Sequence, residues 1–185
     1  MTELEFHFHT GVEFSTPVSG HTFALHCLPV EDDAQKLQSY TIRIEPAAEY
    51  GLHRDGFGGW LVCGSCREPH TVFCYDSHGI VRVDGRAQAE PVNPVLKQFT
   101  PLTAMTAELE ALWQSLPLDG KTPQEQAELL NKAAAGALHY VPGLTGNSTT
   151  AGQAFALGSG VCQDYAHILL ALARRSGFAA RYCMG

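Results

Sequence analysis

Cys162 stands at the seam between a glycine-bearing loop, Gly158-Ser159-Gly160-Val161, and a mostly apolar run that reaches Ala173. In the first turn of a helix, unpaired backbone N–H groups and the helix dipole favour a thiolate over a thiol. The same N–H groups can face the oxyanion formed when a thiolate attacks a carbonyl. Gly158 and Gly160 leave room for close approach of a substrate to the backbone. The chemistry implied is acyl transfer through a thioester, which also needs an imidazole to take and return protons. His167 follows five residues on, about 140° around a helix of 3.6 residues per turn, and so points away from Cys162. His139 lies upstream after a different helix, and the chain runs only to Gly185. The residues alone leave open both a nucleophile and a small buried cysteine of the core.

Asp164, in the same first turn, suits dipole compensation as well as a catalytic part. Gln163 reads as a wall of the cleft, with Gly160 and Asp164 beside it as oxyanion or cleft candidates. Tyr165 and His167 read as packed or hydrogen-bonded neighbours. His7 and His9 share the wet face of one strand, and without a third ligand nearby they read as surface residues.

The elements that must position Cys162 follow from periodicity. At 185 residues, 45% apolar and 17% charged, the chain has room for one domain or two small ones with packed cores. Up to about residue 85 apolar and polar residues alternate, as in Leu4, Phe6 and Phe8 or Ile42 and Ile44, with turn formers such as Asp55-Gly56-Phe57-Gly58-Gly59 between the runs. Short strands at this spacing predict an antiparallel sandwich. A linker bearing Pro91, Pro94 and Pro101 follows, and from Thr103 the period becomes helical. Met105, Leu109, Leu112, Trp113 and Leu116 share one helix face before Pro117. Thr122, Pro123 and Glu125 carry the start signal of a second helix, reaching about Leu138. A run of turn formers leads from there toward the loop before Cys162. The third helix spans Cys162 to Ser176, apolar on most sides and therefore buried, and Phe178 to Met184 reads as one more strand.

A net charge of −7 and the absence of a basic run argue against nucleic-acid binding. Glu3, Glu5, His7 and His9 interrupt the N-terminal hydrophobics, and nowhere do about 18 apolar residues run together. The expectation is a cytoplasmic protein without a membrane partner, its six cysteines thiols or ligands rather than disulfides.

The stretch "GVCQDYAHILLALARRSGFAARYCMG", with "HYVPGLTGNSTTAGQAFALGSG" before it, resembles the core motif of the bacterial transglutaminase-like superfamily. "HTFALHCLP", "YTIRIEP", "RDGFGGWLV" and "EPHTVFCYDSHGIVRV" resemble the β-rich domain that precedes this core. The resemblance implies an α+β chain: an antiparallel β-sandwich-like domain over residues 1–98, then over 99–185 the helical part of a papain-like, transglutaminase-like core that is cut short. It implies that Cys162 is the nucleophile of a cysteine peptidase, amidase or transglutaminase acting on a protein or peptide, with no cofactor. The family's catalytic His and Asp lie on two strands after the one starting at Phe178. Their absence here leads to the expectation of a piece of a longer protein or a shortened member. A sheet left open at Phe178 would invite pairing with a second copy. The alternative reading is a non-catalytic binding module that keeps the fold.

Cys63-x2-Cys66-x3-His70-x3-Cys74 sets four soft ligands within twelve residues, the number that tetrahedral zinc takes. The resemblance places Cys63 and Cys74 inside adjacent strands, where a period of two sends the sulfurs to different faces. Ordinary strand cysteines are therefore the preferred reading over zinc.

Overall fold

The computed structural model of the chain describes residues 1–84 and 92–183. The chain divides into two compact units, Met1–Glu90 and Pro91–Gly185. Among the described residues, no helix is long and apolar enough to cross a membrane.

The first unit is built of six strands: β1 (Thr2–Val18), β2 (His21–Leu25), β3 (Gln35–Glu45), β4 (Glu49–Arg54), β5 (Trp60–Cys66) and β6 (His70–Val83). They form two three-stranded antiparallel sheets, ordered β1-β6-β3 and β2-β5-β4. Alternation puts Ile44 and Phe73 of one sheet against Phe23, Val62 and Cys66 of the other, and these residues with Cys27 form the core. The predicted sandwich is thus present. β1 continues through Pro17 to Val18 with a register shift after Glu13. As the outer strand of its sheet, β1 can carry a proline without breaking a central ladder. His7 and His9 meet a partner on the neighbouring strand, since both rings hydrogen-bond to the Asp76 carboxylate, at 2.9 and 3.3 Å.

The second unit is mainly helical, with α1 (Ala107–Gln114), α2 (Pro123–Gly136), α3 (Ala151–Leu157) and α4 (Cys162–Arg175). Two-residue strands β7 (His139–Tyr140) and β8 (Ser159–Gly160) pair in parallel. The apolar stripe of α4 packs on the other three helices, burying Ile168, Ala171 and Leu172 with Leu109, Leu130, Ala134, Ala151 and Ala154. The α2 start signal forms as read: Thr122 Oγ1 accepts the Glu125 N–H, and the Glu125 carboxylate accepts the Thr122 N–H at 2.8 Å. A second such box begins α3, where Thr150 and Gln153 exchange the same pair of bonds. That helix was not foreseen, because seven residues flanked by glycines and threonines give too short a periodic signal.

Residues 178–183 form no strand, contrary to expectation. Paired with no strand among the described residues, the segment turns its backbone to other groups: the Ala180 N–H donates to Leu96 O at 3.1 Å, and Arg174 Nη2 donates to Ala180 O at 2.9 Å. Arg174 Nη1 also donates to Thr103 Oγ1 at 2.7 Å, so one guanidinium joins the end of α4 to two remote turns. Its neighbour Arg175 lies over the Trp113 ring and grips Glu110 through two bonds of 2.7 Å, fastening α4 to α1.

The Arg175 hydrogen bond holds the Glu110 carboxyl below its ordinary range. A depressed carboxyl contributes stability that is fully present above its unfolded pKa of about 4.3 and lost as pH falls through the folded value. Urea unfolding of wild type and Glu110→Gln between pH 7 and pH 3 checks this. The expected result is that wild type is the more stable at pH 7 and that the difference closes on acidification below about 4.3.

Candidate active site

Cys162 is the first residue of α4, and the residue before it, Val161, is extended (φ −115°, ψ −179°). A valine cap offers no side-chain acceptor, so the first-turn N–H groups of Cys162 and Gln163 are not capped by it. The helix start is held from the inner side instead. Asp164 is 1% exposed, and its Oδ2 accepts the Val161 N–H at 2.7 Å and the Thr145 hydroxyl at 2.7 Å. The Asp164 N–H donates back to Val161 O at 2.8 Å. Both short bonds go to Oδ2, while Oδ1 is buried without a hydrogen-bond partner among the described residues.

Gly160 makes this packing possible. A Cβ there would lie 2.6 Å from Asp164 Oδ2 and 2.7 Å from Asp164 Cβ. The residue is itself buried. The room that the sequence suggested for a substrate is used by the Asp164 carboxylate.

The rest of the loop is pinned from both sides. Gly158 ends α3 in the left-handed region (φ 65°), which only glycine enters without strain. Its carbonyl accepts the His139 N–H at 2.9 Å, and the Gly160 carbonyl accepts the Val141 N–H at 3.0 Å. Tyr165 donates its hydroxyl to Leu138 O at 2.8 Å, tying α4 to the same segment. Gln163 is half-buried and donates to Asn147 O at 3.4 Å. His167 is buried, its ring edge-on to Tyr182.

Around Cys162 the outcome is a rigid platform carrying an exposed thiol. Among the described residues, the sulfur takes part in no hydrogen bond with an imidazole. His139 is carried beside the loop by backbone pairing alone. Of the other cysteines, Cys27 and Cys66 are buried, and burial pushes both thiols up. The apolar groove between α2 and α4, lined by Leu130, Leu169, Ala173, Phe178 and Tyr182, does not reach Cys162.

The four residues of the zinc-like spacing separate. Cys63 lies in β5 opposite Ala24 and Gly51, whereas Cys74 lies in β6, in the other sheet, opposite Gly11 and Glu45. Cys66 and His70 stay close, joined by a residue the spacing could not suggest, His21.

Residues 4–82 match the family model for the bacterial transglutaminase-like N-terminal region, and residues 111–185 match that for the transglutaminase-like superfamily. The chain belongs to the transglutaminase-like superfamily. It is 23% identical over 191 residues to an uncharacterised protein of Mycobacterium leprae (strain TN), covering 95% of this chain and 68% of that one. In fold it is similar to a crystal structure from Cytophaga hutchinsonii named "Putative Cysteine Protease", with a TM-score of 0.69 at 17% identity over 94% of this chain. The chain spans 64% of that crystallised protein's length.

Thr145 is the residue of the site that sequence reasoning missed; its hydroxyl gives no periodic or motif signal, and only the fold brings it to Asp164. Gly160→Ala should cost about 1–3 kcal/mol by overpacking, and Asp164→Ala about 1–3 kcal/mol by leaving the Val161 N–H and Thr145 hydroxyl unpaired. Gly146→Ala, where a Cβ meets nothing within 4 Å, is the control and should change stability by less than about 0.5 kcal/mol. Urea unfolding of the three variants measures all of these.

Proposed function

We propose that this chain carries the nucleophile of a cysteine acyl-transfer enzyme acting on amide bonds of a protein or peptide, with Cys162 as the attacking group. The observation that carries the reading is an exposed thiol on the first residue of a buried helix whose N-cap has no side-chain acceptor. Membership of the transglutaminase-like superfamily and the fold shared with the Cytophaga protein support it.

In this reading the Cys162 thiolate attacks the carbonyl carbon of the amide. A C–S bond forms, and the N–H groups of Cys162 and Gln163 stabilise the oxyanion. The C–N bond then breaks, and the amine leaves with a proton returned by an imidazolium. Water or a second amine attacks the thioester and releases the sulfur. The imidazole is one supplied from outside the described residues. Asp164 acts as a positioning residue, since its two short bonds hold the Val161–Cys162 junction in place.

The reading is tested by incubating the chain with an activated acyl ester and following both leaving-group release and intact mass. The expected result is a burst of one equivalent and a single acyl adduct on Cys162. Cys162→Ser should lower the acylation rate by on the order of 10³-fold or more. Tight peptide binding without any acyl adduct, unchanged in Cys162→Ser, would instead establish a non-catalytic binding module.

A further inference from the structure

The first unit holds a side-chain cluster that the acyl-transfer reading does not use. We propose that His21 Nδ1, His70 Nε2 and Cys66 Sγ form a binding site for one zinc ion, with a solvent molecule completing the tetrahedron.

The strand register builds the cluster. His21 opens β2 directly opposite Cys66, the last residue of β5, so the two side chains share a sheet face. Four residues later the chain has crossed to the other sheet, and His70 opens β6. The cluster therefore sits where one sheet hands the chain to the other. The three ligand atoms all lie within 4.8 Å of one another. The two ring nitrogens are 3.1 Å apart. Two nitrogens on one tetrahedral zinc at bonds of about 2.0–2.1 Å are separated by roughly 3.3 Å. The nitrogen pair already has that spacing, and a rotation of the Cys66 side chain away from Pro46 O, 3.8 Å from its sulfur, supplies the rest.

The surroundings add two independent features of a metal site. His70 Nδ1 donates to Glu68 O at 2.8 Å, which fixes the tautomer and turns the Nε2 lone pair toward the cluster. That backbone acceptor is the partner metal-bound histidines commonly have. Around His21 stand the rings of Phe14, Phe23 and Phe73, with centroids at 5.5, 6.3 and 4.7 Å, an apolar wall on the side away from solvent. Both histidines are half-buried and Cys66 is buried, so an ion can enter from one side.

Two imidazoles and one thiolate are borderline-soft donors that suit zinc and disfavour magnesium or calcium. Without metal, His21 Nδ1–H donates to His70 Nε2. On binding, that proton moves to His21 Nε2 through solvent, the Cys66 thiol loses its proton to the buffer, and both nitrogen lone pairs and the sulfur bond to zinc. No redox partner is involved.

The test uses the whole chain, stripped with a chelator under reducing conditions and titrated with Co(II), a spectroscopic substitute for Zn(II). The expected result is one Co(II) per chain with thiolate-to-cobalt charge transfer and four-coordinate d–d bands, displaced by one equivalent of Zn(II). His21→Gln and His70→Gln should weaken binding at least about 100-fold, and Cys66→Ser should remove the charge-transfer band. Cys63→Ser, Cys74→Ser and Cys162→Ser should leave the spectrum unchanged. Zn(II) should also raise the melting midpoint of wild type and not of His21→Gln. If no charge-transfer band forms, or if it survives in both histidine variants, the site is overturned and the pair is a plain His–His hydrogen bond. Should Cys66→Ser fail to fold, the two histidine variants, at half-buried positions, still decide the outcome.

Discussion

A single buried carboxylate fixes the start of α4, and with it the position of the one thiol at a helix N-terminus. Asp164 Oδ2 takes the Val161 N–H and the Thr145 hydroxyl, each at 2.7 Å, inside a pocket that exists because residue 160 has no side chain. Both bonds share one acceptor atom, so removing the carboxylate removes both. Breaking either leaves a buried polar group without its partner, so the loop has few alternatives to the observed conformation. Asp164 takes the Val161 N–H at the junction, and the N–H groups of Cys162 and Gln163 receive no side-chain cap from Val161.

The platform rests on α4, which packs against the three other helices of its unit. Its stripe of Ile168, Ala171 and Leu172 is shut in by α1, α2 and α3. At the far end Arg174 and Arg175 fasten it to Thr103, Leu96, Ala180 and Glu110. The helix is held by apolar packing along its length and by directional bonds at both ends. The sandwich unit has its own core and the separate His21–Cys66–His70 cluster at its sheet corner.

Where periodicity is long, the sequence was sufficient. Alternation at Leu4–Phe8 and Ile42–Ile44 and the apolar face of α4 lead to the observed strands and central helix, and Thr122-Pro123-x-Glu125 marks the start of α2. Two elements escaped for opposite reasons. The seven-residue α3 is too short for a helical period, although its Thr150–Gln153 box was there to be read. Phe178–Cys183 has the composition of a strand but pairs with no strand among the described residues, and a strand is defined by its partner. At the site, Cys162 was legible from its place at a loop–helix seam. The Thr145–Asp164 contact was not, because it joins residues 19 apart whose proximity depends on the tertiary fold. The same holds for His21, which strand register sets opposite Cys66 and which meets His70, 49 residues away, from the other sheet.

The central claim is that the fold singles out Cys162 for reactivity, and the chain contains its own control in Cys183, a second exposed thiol that is not at a helix start. Limiting iodoacetamide at pH 7, followed by peptide mass spectrometry, compares the two in one sample. Cys162 should be alkylated at least about ten times faster than Cys183, and Asp164→Ala should erase the difference. Equal rates in the wild-type chain would contradict the claim.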